Sequence, residues 1–201
     1  MFERPPFVDH LSAFAGRHPD IRLGICFSDR RADLNGSKLD LAIRAGRLED
    51  SRYKAGKLTE INHVVIASPT YMAGKRRPET IADLAAFDWI RLTQIPINRQ
   101  LTNRRGEVPN LNPSIALEVD SAVALAQMVK NGMGLAAIPE HVVQEELRSG
   151  GVIALPVAWQ LKPISVYAVW PGNLPPESLS GRFVQFLVDR FRQNPDGATG
   201  G

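Results

Sequence analysis

The stretch IALEVDSAVALAQMVKNGMGLAAIP, from Ile115 to Pro139, decides the fold class. Ile115 to Val119 reads as an apolar strand, Ser121 to Asn131 as a helix, and Gly134 to Ile138 as another strand. Gly132 stands just past the helix, where a C-terminal cap belongs. Strand, helix and strand in succession make a βα unit, and such units build mostly parallel sheets covered on both faces. The GMG at 132–134 superficially resembles a nucleotide-binding GxG, but it ends a helix instead of opening one and is read as a helix stop.

The same alternation runs outward in both directions. Phe7, Leu11, Phe14 and Ala15 recur at helical spacing, with Gly16 and His18-Pro19 as a stop. Ile21, Leu23, Ile25 and Phe27 alternate at period two and predict a strand; Leu39 to Ile43 and His63 to Ala67 predict two more. Ile81 to Phe87 reads as a short helix, Trp89 to Leu92 as a strand, and Pro139 to Leu147 as a helix with proline in its first turn. Strands at Val152 to Val157 and Ile164 to Trp170 follow, then a closing helix marked by Phe183, Phe186, Leu187 and Phe191, and a disordered tail over 193–201. The class is α/β.

Composition narrows what such a chain can do. With 44% hydrophobic and 22% charged residues it is an ordinary globular chain, and 201 residues suffice for one large domain or two lobes. Its 24 Lys and Arg against 21 Asp and Glu leave +3, spread along the chain apart from Arg76-Arg77 and Arg104-Arg105. The Lys/Arg stripe of a nucleic-acid footprint is not visible. Cys26 is the only cysteine, so neither an internal disulfide nor a cysteine-based metal site can form, and the cytoplasm is the natural compartment. Cys26 lies in a predicted strand without a CxxC neighbour and reads as an inert buried thiol. His10, His18, His63 and His141 show no metal-ligand spacing. Met1 to Pro6 is no apolar leader, and no run approaches the ~18 apolar residues of a membrane span. No GxSxG, P-loop or zinc motif is present, so the expectation is neither an enzyme nor a cofactor protein.

Specific motifs take this further. HPDIRL at His18 to Leu23 and LDLAIRAG at Leu39 to Gly46 resemble signatures of the LysR substrate-binding domain. Val64 to Pro69, Ile81 to Leu84 and Val129 to Pro139 follow in the order of that family, and the resemblance covers Phe2 to Arg192. It implies a two-lobed, type 2 periplasmic-binding-protein-like fold: lobe I from residues 1–66 and 169–192, lobe II from 67–168, with crossing strands at His63 to Ala67 and Ile164 to Trp170 and hinges at Ala67 and Val169. It also implies the effector-sensing part of a bacterial transcription regulator. DNA would be read by an N-terminal winged helix-turn-helix outside this sequence, and the first sensor strand is likewise expected to be missing. A homodimer is implied, with Val8, Leu11 and Met128 at its interface. The rival assignments are a transporter's solute-binding protein and an enzyme on the same two-lobed fold, such as a dehydratase or phosphoribosyltransferase. The absent signal peptide opposes the first, and the lack of a legible acid–base pair opposes the second.

Ligands of open α/β sheets bind beyond the carboxyl ends of strands, and three such segments qualify: Arg44-Ala45-Gly46, Thr93-Gln94-Ile95 and Asp120-Ser121. Ser121 or Asp120 can cap the following helix, whose N–H groups favour an anion; Asp120 as the cap would oppose one. Thr93 brings a hydroxyl and Gln94 an amide, Arg44 can pair with a carboxylate, and Ser68 follows the expected hinge. The expected ligand is a small polar or anionic organic molecule. Each residue also has a plainer role, as an N-cap, a solvated loop, a structural ion pair or a strand-ending turn.

Overall fold

A computed structural model of the chain describes residues 7–27, 39–46, 48, 53–93, 101–155 and 159–193. In chain order its elements are α1 (Phe7–Arg17), β1 (Ala42–Ala45), β2 (Tyr53–Ile61), β3 (His63–Ala67), α2 (Pro69–Met72), β4 (Asp88–Leu92), β5 (Ser114–Val119), α3 (Ala122–Lys130), β6 (Ala136–Pro139), α4 (Gln144–Arg148), β7 (Ile153–Ala154), β8 (Ile164–Pro171) and α5 (Leu179–Gln193). Short 3-10 helices occupy Ala82–Ala86 and Glu140–Val142. The expected helix over Pro139 to Leu147 is thus split in two, and of the tail expected over 193–201 Gln193 is the last residue of α5 while 194–201 lie outside the described residues.

The chain divides into two compact units, one spanning Asn62–Pro163 and the other made of the segments ending at Ile61 and beginning at Ile164. Strand pairing explains why the divisions fall at 61/62 and 163/164 and not at the expected 66/67 and 168/169. All of β3 is bonded to β6 and β7, whereas all of β8 is bonded to β1 and β2. Neither strand crosses between units; the crossings are at Asn62 and Pro163.

In the unit containing both ends of the chain, β8 lies between β1 and β2 and is antiparallel to both. Phe7, Leu11 and Phe14 form the buried stripe of α1, and Val184, Leu187, Val188 and Phe191 that of α5. Both follow the i, i+3, i+4, i+7 spacing of a helix with one face on a core. Leu11, expected at a dimer interface, is only 8% exposed and belongs to this core. β2 has no clean alternation because its register shifts between Lys57 and Thr59, which places Leu58 and Ile61, three apart, both inside. Ile21 to Phe27, despite its alternation, joins no described ladder, and its last four residues are exposed. Period two records a capacity for pairing, and a ladder needs a partner to bond its N–H and C=O groups. Cys26 is accordingly exposed, not buried.

In the unit spanning Asn62–Pro163, β3 pairs antiparallel with β6 and β7, and β4 pairs parallel with β5. A parallel bridge between Trp89 and Leu135 joins the two sheets. Among the described ladders only the β4–β5 pair is parallel, so pairing within the α/β class is mixed where mostly parallel sheets were expected. Both faces are covered. Val65, Ala67, Trp89, Leu135 and Ala137 belong to one apolar cluster with Leu84, Leu101 and Leu111. Ile66, Ile90, Leu92, Ala136 and Ile138 belong to another, with Leu125 and Val129 of α3. Adjacent strand residues fall in opposite clusters, as the pleat requires, which explains why the strands read as continuous apolar runs.

The GMG turn holds this sheet together. Gly132, at φ 81°, donates to the Val129 carbonyl while the Met133 N–H donates to that of Met128, a Schellman ending for α3. Gly134, at φ 148°, leads directly into the bridge. No described helix is long and apolar enough to cross a membrane.

Candidate functional site

The strand directions fix which loops can meet. β4 and β5 run parallel, so Thr93 and Asp120 leave the sheet side by side; the Thr93 N–H donates to the Val119 carbonyl at 2.9 Å. Ser121 then opens α3: its Oγ accepts the Ala124 N–H at 3.3 Å and its carbonyl accepts the Leu125 N–H at 3.0 Å. The cap is therefore Ser121 and not Asp120. Because its oxygen is the acceptor in the cap, the Ser121 hydroxyl keeps its own proton to donate. Thr93 and Asp120 are exposed and Ser121 is half-buried, whereas Leu92 and Ala122 beside them are buried. Polar ends thus stand on a fixed apolar base.

One step back along each strand, Arg91 is held against Glu118. Its Nε and Nη2 lie 2.8 and 2.5 Å from the same carboxylate oxygen. The pair occupies the Arg91–Glu118 position of the ladder, directly before the Leu92–Val119 pair. It neutralises a carboxylate that would otherwise repel an anion at the strand ends.

Further residues that sequence reasoning did not select reach the same end of this sheet. His63 is paired with Pro139 in antiparallel register, and the Glu140 N–H donates to the Asn62 carbonyl at 3.0 Å. Since β6 runs parallel to β4, Asn62, His63, Glu140 and His141 stand at the carboxyl end, as Thr93 and Ser121 do. The available signal was positional: Pro139 ends a strand, and a strand's carboxyl end is where α/β sheets bind ligands.

Other expected positions lie elsewhere. Ser68, at the carboxyl end of β3, faces the start of β6 and hence the opposite end of the sheet. It is buried, caps α2 by accepting the Tyr71 N–H at 3.1 Å, and lies beside Gly132 at the far end of α3 from Ser121. A helix of that length separates its ends by about 13 Å. Ala67, expected to be a hinge, is fully buried and paired with Ile153 at that same far end. Val169, also expected to be a hinge, sits mid-strand in β8, paired to Ala42 on one side and Ala55 on the other. Arg44, in β1, belongs to the other unit. Gln94 lies outside the described residues. Among the described residues no group of three or more His, Cys, Asp or Glu side chains is placed to hold a metal ion.

Residues 2–192 match the LysR substrate binding domain family. The chain belongs to that family. This LysR substrate-binding domain is 29% identical, over 185 residues, to the HTH-type transcriptional regulator PtxR of Pseudomonas aeruginosa, a match covering 92% of this chain and 59% of that protein. It is 30% identical to the HTH-type transcriptional regulator CrgA of Neisseria meningitidis over 157 residues, 75% of this chain and 52% of the relative. The domain therefore spans roughly half to three-fifths of the length of these relatives. The solved regulatory domain of Neisseria meningitidis CrgA superposes with a TM-score of 0.72 at 28% identity, covering 93% of this chain and 95% of that one. The effector domain of the regulator AmpR of Pseudomonas aeruginosa superposes with a TM-score of 0.77 at 22% identity, covering 97% and 93%, and shows the shared fold. Solved neighbours of this LysR substrate-binding domain are thus effector and regulatory domains, the two-lobed fold that its motifs imply.

Proposed function

We propose that the chain is the effector-sensing part of a transcription regulator and that a small polar or anionic organic molecule binds at the carboxyl ends of β4 and β5. One observation carries this: Thr93 and Ser121 are set side by side by a parallel ladder and a capped helix, offering two hydroxyl donors and a helix N-terminus on a buried apolar base. Asn62 and Glu140 bound the same end of the sheet. Asp120, exposed and next to Ser121 in the chain, biases the site toward a ligand that also carries a donor. A ligand that binds one arrangement of the protein better than another shifts the population toward it, and the DNA-bound output follows that shift. The names of PtxR and CrgA as HTH-type transcriptional regulators support output through a helix-turn-helix segment, and a homodimer is part of the same proposal. Membership of the LysR family supports this role over that of a transport protein or an enzyme.

The test is a thermal-shift screen of metabolites against the chain, followed by calorimetry on any stabilising compound with wild type, Thr93→Val and Ser121→Ala. Weaker binding by both variants supports the assignment. Unchanged affinity in both places the site elsewhere, and turnover of the ligand by wild type would make the protein an enzyme.

A further inference from the structure

In the unit that contains α1 and α5, rings of the two helices meet alongside their buried aliphatic residues. Phe14 of α1 meets Phe183 and Phe186 of α5 at centroid separations of 4.7 and 5.3 Å, and His10 meets Phe191 edge to face at 4.8 Å and 88°. His10 and Phe14 stand one turn apart on the face of α1 that meets α5, and His18, just past the end of α1, packs on Phe14 at 4.5 Å. Cations frame these rings: Arg17 from α1 and Arg190 from α5 both stand 5.4 Å from the Phe186 centroid.

We propose that the α1–α5 contact is a pH-sensitive latch in which His10 must be uncharged for α1 to dock fully, so that mild acid loosens α1. The geometry supplies the reason. His10 is half-buried against Phe191, where an imidazolium loses hydration, and the adjacent α5 residue is Arg190. Burial and then the Arg190 charge pull the His10 pKa below its ordinary value, and the Asp9 carboxylate, next to it on α1, opposes them only in part. The other ionisable groups of the two helices are Arg17 on α1 and Arg182, Asp189 and Arg192 on α5, with His18 just beyond the end of α1. Asp189 accepts a hydrogen bond from Gln185, one turn back on its own helix, which occupies one of its oxygens. An edge-to-face contact with Phe191 could by itself favour a cation, and this is the opposing effect the experiment weighs.

The sign follows from linkage. A histidine whose pKa is lower when docked binds fewer protons docked than undocked, so docking is full above its ordinary pKa, weakens as pH falls through that value, and weakens no further once pH is below the docked pKa.

The experiment titrates the His10 ring of the full chain by NMR while following amide exchange along α1 between about pH 8 and about pH 5, corrected for intrinsic exchange. Expected are a His10 midpoint below that of a free histidine, protection of α1 amides that falls several-fold across that window, and an upward shift of the midpoint in Arg190→Gln. In His10→Phe, which keeps the ring contact and never charges, the pH dependence of α1 protection should vanish; in His18→Asn it should persist. A His10 midpoint at or above the free value overturns the latch, whatever the variants do. So does a pH dependence that survives in a folded His10→Phe.

Discussion

The carbonyl oxygen of Asp88 lies 2.7 Å from the point where a Cβ on Gly134 would stand, while the same oxygen accepts the Leu135 N–H at 2.8 Å. These atoms form the junction through which β6 is joined to β4, completed by the Ile90 N–H donating to the Leu135 carbonyl at 2.8 Å. No side chain fits there without displacing backbone.

Gly134→Ala should therefore destabilise the unit spanning Asn62–Pro163 by more than about 2 kcal/mol, since it adds a backbone clash to an unfavourable φ. Gly132→Ala, strained in φ but with the nearest atom to its added Cβ, Ser68 Oγ, at an ordinary 3.7 Å, should cost about 1–2 kcal/mol. Denaturant unfolding of the two variants checks the order; a smaller loss in Gly134→Ala would show that the junction can open.

Ser121→Ala removes the acceptor of the Ala124 N–H and should lower stability by about 1 kcal/mol without ligand. Thr93→Val leaves the Thr93 backbone bond to Val119 intact and should cost little stability. Each should weaken effector binding by about three- to tenfold, as expected for one lost neutral hydrogen bond. Calorimetry on Thr93→Val separates the two effects, because its affinity falls while its thermal midpoint holds.

Trp89 is fully buried and its indole N–H donates to the Leu84 carbonyl at 3.0 Å, which ties the Ala82–Ala86 turn to β4. Trp89→Phe leaves that carbonyl with the Phe87 N–H, at 3.3 Å, as its remaining donor and opens space in the core, at a cost of about 1–3 kcal/mol. Loss of the indole signal from the buried environment accompanies it, and chemical denaturation measures the difference.

Asp83 accepts N–H bonds from Thr80 at 2.8 Å and Glu79 at 3.0 Å, and these hold its carboxyl below the ordinary carboxylate range. A carboxylate depressed in the folded state contributes stability above its unfolded pKa and loses it as pH falls through the folded one. Asp83→Asn should melt lower than wild type at neutral pH, and the gap should narrow as both are acidified below the ordinary carboxylate pKa of about 4. A gap independent of pH would assign the loss to shape, not charge.

Several parts of this molecule were legible along the chain because local chemistry alone specifies them. Ser121 followed by an apolar helix and Gly132 supplies both ends of α3, and the helical stripes of α1 and α5 need only their own spacing. The family motifs carried the two-lobed fold, and the apolar strands ending before Thr93 and Asp120 marked these as strand-end loops. Whatever depended on a partner was not legible. Ile21 to Phe27 alternates as well as any strand yet joins no described ladder, whereas Tyr53–Ile61 pairs across a register shift that erases its alternation. Ser68 and Ser121 look equivalent as strand-following hydroxyls, but β3 is antiparallel to β6 and β5 is parallel to β4, so they stand at opposite ends of one sheet. Strand direction and pairing are set by contacts between distant segments, and no window of sequence contains both partners of such a contact.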